Sequence, residues 1–214
     1  TMDDRFSMCN MAIEAGAKSG IVAYDDITKE FLDARELARE PRIHHSDDDA
    51  NYVITLDIDV ANLEPVIAYP FLPSNGHSIS KAVEDKIKID QAFIGSCTNG
   101  RLSDLKTASE ILKGKKVHQD VRLIVTPGTQ KILKDANHLG YIDIIVEAGG
   151  VVSNPTCGAC LGGYMGILGD NEVAVSTTNR NFVGRMGSRS SKVYLANSAV
   201  AAISAITGYI SDPR

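Results

Sequence analysis

The chain has 214 residues, of which 43% are hydrophobic and 23% charged, and its net charge is -5. These proportions are ordinary for a folded protein and exclude a disordered or fibrous chain. The acidic balance argues against a nucleic-acid binder, because neutralising phosphates takes clustered Lys and Arg. No apolar run approaches the roughly 20 residues of a membrane helix. We therefore expect a cytoplasmic protein with neither a nucleic-acid nor a membrane partner.

The first part of the chain combines helical and extended patterns. Apolar spacing predicts helices over 8–20 and 26–37, and alternation predicts a strand over 52–60. The stretch 63–78 contains three prolines and an Asn-Gly pair, which are typical of a linker or a long crossing loop. Because the helix predicted over 8–20 starts almost at the beginning of the sequence, we expect this part to be the tail of a domain whose beginning lies before it.

The rest of the chain alternates between buried strands and helices. Strands are predicted over 89–96, 121–127, 172–178 and 192–198, and helices over 103–114, 128–140 and 199–208. Ser103 is a plausible cap for the first of these helices, whereas 141–149 is ambiguous between strand and helix. Such alternation predicts an α/β fold with three layers, in which helices cover both faces of a mostly parallel sheet. We place the domain boundary between 1–70 and 71–214.

The stretch "SNPTCGACLGG" brings Cys157 and Cys160 three positions apart. A lone pair of this kind is a redox site, half of a zinc site or two buried thiols. A redox pair usually opens a helix early in a βαβ unit, and a zinc site needs a second close pair that this sequence lacks. Both interpretations are weakened, although neither is excluded.

A third cysteine follows a predicted strand, at the place where an α/β sheet carries its ligand-binding loops. This residue is Cys97 in "FIGSCTNGR", whereas Cys9 lies within an apolar helical pattern and is expected in a core. Three thiolates are one fewer than the usual iron–sulfur set. A [4Fe-4S] cluster held in this way keeps an open iron, as a Lewis-acid catalyst requires.

A loop rich in arginine follows the strand at 172–178. Arg180, Arg185 and Arg189 lie within "TTNRNFVGRMGSRSS". The guanidinium group binds carboxylates through two parallel hydrogen bonds, so this loop suits a polycarboxylate substrate. Taken alone, the loop is better explained as a phosphate loop or as ordinary surface arginines.

The motifs "GSCTNGR", "NPTCGACLG" and "NRNFVGR", in this order, resemble the aconitase superfamily. The opening "MCNMAIEAGAKSGIVAYD" and the ending "YLANSAVAAISAITGYISDP" are most similar to its isopropylmalate and homoaconitate branch. The resemblance implies that 71–214 is the iron–sulfur domain and 1–70 the C-terminal part of another aconitase-type α/β domain. It also implies a hydro-lyase that isomerises a hydroxy-polycarboxylate by removing and re-adding water.

The resemblance also implies roles for individual residues. Cys97, Cys157 and Cys160 would hold a [4Fe-4S] cluster with one open iron. Asn10 and Asn179 would make polar contacts to the cluster and its sulfur atoms. Arg180 and Arg185 would bind substrate carboxylates. Glu14 would be catalytic, handling a proton of the departing water, and its i, i+4 spacing predicts that it shares a helix face with Asn10.

The resemblance finally implies a partner. The base that removes the carbon-bound proton is a serine of a swivelling domain, which in this branch is a separate small subunit. We therefore expect the C-terminal portion of a large subunit, inactive alone, that interconverts 2-isopropylmalate and 3-isopropylmalate in leucine biosynthesis. The alternatives are a homoaconitase large subunit or, in another class, a non-catalytic zinc or dithiol module.

Overall fold

The computed structural model describes residues 1–214, which divide into two compact units, Thr1–Leu63 and Glu64–Arg214. The first unit contains α1 (Met2–Met11), a 3-10 helix (Ala12–Ala15) and α2 (Asp26–Asp33). The side chain of Asp25 caps α2 by accepting from the Thr28 N–H, and it also pairs with Arg5 at 2.6 Å. No residue of this unit is buried.

Two predictions for the first unit are wrong. The helix predicted over 8–20 ends as an α-helix at Met11, and Gly16, with φ of 82°, terminates the 3-10 turn that follows. The residues predicted as a strand, 52–60, form no regular element, and the apolar side chains among them are exposed. An alternating sequence forms a strand only when its backbone N–H and C=O groups have a partner strand.

The second unit is built on a seven-stranded sheet in the order β2-β1-β7-β6-β3-β4-β5. Its strands are β1 (Val66–Ala68), β2 (Gly76–Ser78), β3 (Gln91–Gly95), β4 (Arg122–Thr126), β5 (Val151–Val152), β6 (Val173–Ser176) and β7 (Lys192–Leu195). The five strands from β7 to β5 are parallel, whereas β1 is antiparallel to both of its neighbours. The predicted α/β fold with a mostly parallel sheet is confirmed.

The prediction of a linker over 63–78 is wrong, because β1 and β2 form a hairpin at one edge of the sheet. Ala68 pairs with Leu195, so this stretch belongs to the second unit, and the division falls between Leu63 and Glu64 rather than at 70/71. That the first unit is itself part of an aconitase-type domain stays a prediction.

Six helices accompany the sheet: α3 (Ile79–Glu84), α4 (Ser96–Asn99), α5 (Leu102–Leu112), α6 (Gln130–His138), α7 (Tyr141–Glu147) and α8 (Ser198–Thr207). The ambiguous stretch 141–149 is therefore helical. Ser103 is not the cap of α5, because this helix begins after Arg101, whose backbone N–H donates to the Asp104 carboxylate at 3.0 Å. None of the helices combines the length and the apolar composition that a membrane span requires.

Buried residues form one core on each face of the sheet. Ile94 belongs to the core that contains residues of α5 and α8, whereas its neighbour Phe93 belongs to the other core with Cys160 and Met186. This alternation follows from the two-residue period of a strand. The prediction that helices cover both faces is wrong, because the second face is covered by irregular segments, 158–168 and 182–187, rather than by α-helices. The cysteine pair and part of the arginine loop therefore lie on the face opposite α5 and α8.

Candidate metal centre and arginine loop

Cys97 lies in α4, which begins directly at the carboxyl end of β3. Gly95, with φ of 132°, makes this turn possible, because a Cβ atom there would lie 1.9 Å from the Thr126 carbonyl oxygen. Gly100 follows the turn and is also closely packed, since a Cβ atom there would lie 2.6 Å from the Ser96 carbonyl oxygen. Because both glycines lack a side chain, the turn packs closely against the end of β4. The Cys97 side chain is exposed.

The second cysteine motif forms a 3-10 turn, Gly158–Leu161, with Cys157 as its N-cap. The Cys160 N–H donates to the Cys157 carbonyl oxygen at 3.0 Å. Gly158 has φ of 52°, and a Cβ there would touch the Phe93 ring at 3.5 Å. Cys157 is exposed, whereas Cys160 is 5% exposed and packs in the core beneath the turn. The pair is thus anchored to β3, the strand that leads to Cys97.

The pKa of the Cys160 thiol is altered by burial and by neighbouring side chains. Burial raises the pKa of this thiol, and the guanidinium of Arg185 and the hydroxyl of Ser96 counteract part of that rise. A charge on Cys97 acts in the raising direction. Arg185 and Ser96 therefore act directly on the Cys160 thiol, whereas Cys97, from a third motif, acts on it only through its charge.

The arrangement stops short of a preformed metal site. No three side chains of the types His, Cys, Asp and Glu lie close enough to hold a metal ion between them. No disulfide joins the cysteines either. The assignment of Cys97, Cys157 and Cys160 as three ligands of one cluster stays a prediction.

Two buried donors beside Cys160 test whether a cluster would fit. The Oγ atom of Ser96 and the Nε atom of Arg185 are inaccessible to solvent, and neither has a hydrogen-bond partner. Buried polar atoms are nearly always paired, and an unpaired donor is costly. An iron–sulfur cluster supplies thiolate and sulfide acceptors, and second-shell donors to such sulfurs are usual. The residues present therefore fit this group.

The arginine loop begins where β6 ends, beside the turn of Cys97. The Gly95 N–H donates to Thr177 Oγ1 at 2.8 Å, and Asn99 Nδ2 donates to the Thr177 carbonyl oxygen at 2.6 Å. These contacts join residues about 80 positions apart and tie the two loops at one end of the sheet. Neither contact of Thr177 was predicted from the sequence, although small polar residues just after parallel strands are a signal for such roles.

The rest of the loop is fixed by backbone pairing. The Leu168 N–H donates to the Met186 carbonyl oxygen at 2.8 Å, and the Ser188 N–H donates to that of Leu168 at 2.9 Å. The segment that follows Cys160 is thereby bound to the arginine loop. Asn179 is 7% exposed, Arg180 and Arg185 are half-buried, and Arg189 is exposed.

Asn10 and Glu14 lie in the first unit, and both are half-buried. Asn10 is in α1, but Glu14 is in the 3-10 helix that follows it. No continuous α-helix spans the two residues, so the face predicted from their i, i+4 spacing is not an α-helical one. Their roles stay predictions.

Comparison with known proteins identifies the family. The aconitase family (aconitate hydratase) matches residues 1–208. The chain is 84% identical over 214 residues to the 3-isopropylmalate dehydratase large subunit of Sulfurimonas denitrificans. It is 76% identical to the protein of that name from Aliarcobacter butzleri and 73% identical to that from Wolinella succinogenes. Each comparison covers 100% of this chain and 51% of the relative, so the chain spans about half the length of these relatives. The resemblance found in the sequence motifs is confirmed: the chain belongs to the aconitase family.

Proposed function

We propose that the chain is part of the large subunit of a hydro-lyase that interconverts 2-isopropylmalate and 3-isopropylmalate in leucine biosynthesis. The observation that carries the proposal is the convergence of Cys97, Cys160 and Arg185, because it combines metal-binding thiols with a carboxylate-binding cation. The names of relatives at 73–84% identity support isopropylmalate over homoaconitate as the substrate. They also argue against a non-catalytic zinc or dithiol module.

In this proposal, Cys97, Cys157 and Cys160 hold a [4Fe-4S] cluster, and Asn10 and Asn179 contact its sulfur atoms. When bound, the cluster supplies a Lewis acid at its open iron, which weakens the bond between carbon and the leaving hydroxyl. The two buried donors beside Cys160, Ser96 Oγ and Arg185 Nε, would donate hydrogen bonds to sulfur atoms of the site. They lower the pKa of the Cys160 thiol, although burial has the larger effect and raises it.

The arginines of the proposed site orient the substrate. Arg180 and Arg185 each offer a planar fork of donors that matches a carboxylate, so together they bind a dicarboxylate in one orientation. Holding the reacting carbons in place removes much of the entropic cost of the elimination. The Glu14 carboxyl group gives its proton to the departing hydroxyl and recovers one from water during rehydration.

The proposed enzyme needs a partner. The large-subunit name of the relatives implies a small subunit, and we propose that its swivelling domain supplies the serine that removes the carbon-bound proton. We place the assembly in the cytoplasm, because a reducing compartment keeps the cysteines available as ligands.

The proposal is tested with the intact large subunit, co-expressed with its small subunit and reconstituted anaerobically with iron and sulfide. We expect the visible absorbance of a cluster and turnover of isopropylmalate. Cys97→Ser should weaken the absorbance, whereas Cys9→Ser should leave it unchanged. Turnover of homoaconitate alone would support the rival substrate. A Cys97→Ser variant with the full cluster spectrum would overturn the ligand assignment.

A further inference from the structure

Ser96 has an unusual backbone for a residue with a side chain. It directly precedes Cys97 and has φ of 68°, in the left-handed region. Side chains other than glycine are disfavoured there by contact between Cβ and the backbone. A glycine would adopt this turn more easily, so the presence of Ser96 indicates that its hydroxyl group is used.

The hydroxyl of Ser96 also lacks the partner that other buried serines have. Ser96 is 1% exposed, and its Oγ atom has no hydrogen bond. By contrast, the equally buried Ser109 donates to the Lys106 carbonyl oxygen at 2.8 Å. Ser176, fully buried, shares a hydrogen bond of 3.0 Å with Thr178. Ser96 is thus a buried donor with no acceptor in its present surroundings.

A candidate acceptor is the sulfur of Cys160, which packs in the same core as Phe93, three residues before Ser96. The Ser96 hydroxyl and the Arg185 side chain both act on that thiol in the direction that lowers its pKa. A neutral thiol is a weak acceptor, and the Ser96 hydroxyl makes no hydrogen bond to it in this structure. A metal-bound thiolate carries negative charge and accepts hydrogen bonds more strongly.

We propose that Ser96 is a positioning residue that donates its hydroxyl proton to the Cys160 sulfur when that sulfur is a cluster ligand. The inference rests on the proposed function, because it requires a cluster at this site. A hydrogen bond to the ligand sulfur stabilises the more negatively charged, reduced cluster. It therefore raises the reduction potential and helps to retain the cluster.

The test uses the intact large subunit with its small subunit, reconstituted anaerobically as wild type, Ser96→Ala and Ser96→Gly. Both variants lose the hydroxyl, but only Ser96→Gly also relieves the left-handed backbone. We expect both to have a lower cluster reduction potential and roughly tenfold weaker cluster retention during chelator challenge. Resonance Raman spectra should lose the deuterium-sensitive shift of one iron–thiolate mode in both variants. Ser109→Ala is the matched buried-serine control and should behave as wild type.

A purely structural role predicts a different pattern. In that case Ser96→Gly, which relieves the backbone strain, would match or exceed the wild type in reduction potential and cluster retention, and the inference would be overturned. Wild-type potential and Raman shifts in both variants would overturn it as well, leaving the proposed function intact. If the wild type itself took up no cluster, the proposed function and this inference would fail together. Both variants should fold, because alanine keeps the Cβ atom that the wild type already accommodates and glycine accepts a positive φ without strain.

Discussion

Gly95→Ala should destabilise the second unit more than almost any other single-methyl addition. The new Cβ atom would lie 1.9 Å from the carbonyl oxygen and 2.9 Å from the nitrogen of Thr126. These are backbone atoms of β4 in register with Gly95, so relief requires opening the pair of central strands. Overpacking costs about 1–3 kcal/mol. Placing alanine at a φ of 132°, which favours glycine, costs about a further 1–3 kcal/mol. The expected loss is therefore about 2–6 kcal/mol, a large part of the stability of an ordinary domain.

A matched control separates the steric clash from the backbone strain. Gly114 also has a positive φ, 70°, but a Cβ there would meet nothing within 4 Å. Gly114→Ala should therefore cost only the left-handed strain, about 1–2 kcal/mol. Urea unfolding followed by circular dichroism measures the free energy of unfolding of both variants. If Gly95→Ala loses no more stability than Gly114→Ala, the close approach of the Cys97 turn to β4 is refuted.

Three further predictions concern charged residues. The Arg122 guanidinium and the Gly169 N–H hold the pKa of Glu172 below its ordinary value near 4.5. The stabilisation of the folded state by the Glu172 carboxylate is therefore present above that pH and lost as pH falls through the lowered pKa. In urea unfolding, the free energy of unfolding of wild type should exceed that of Glu172→Gln by about 1 kcal/mol at neutral pH, and this difference should vanish on acidification. A difference that persists in acid would contradict this prediction. In the complete enzyme, Arg180→Lys should raise KM at least about tenfold with the cluster spectrum intact, and unchanged kinetics would exclude the carboxylate role. Glu14→Gln should keep the cluster and lower kcat by about a hundredfold, whereas a normal kcat would remove Glu14 from proton transfer.

Four strands of the sheet, β3, β4, β6 and β7, and the order of the motifs along the chain can be predicted from the sequence alone. Strands such as Gln91–Gly95 are continuous buried runs between helices with clear ends, so local pattern is sufficient to find them. The cysteine and arginine motifs identified the family without any knowledge of their contacts. Local pattern failed over 8–20 and 52–60 because amphipathic spacing does not say whether a partner surface is present.

Which residues of the site meet becomes apparent only from the folded structure. Neighbouring positions of β3 and β6 in the sheet bring Thr177 against Gly95 and Asn99, although no sequence spacing specifies that order. The same folding places Cys160 beside Arg185. The left-handed backbone and unsatisfied hydroxyl of Ser96 are likewise visible only in three dimensions. Contacts between distant segments depend on strand order and close packing, which the periodicity of a single segment does not encode.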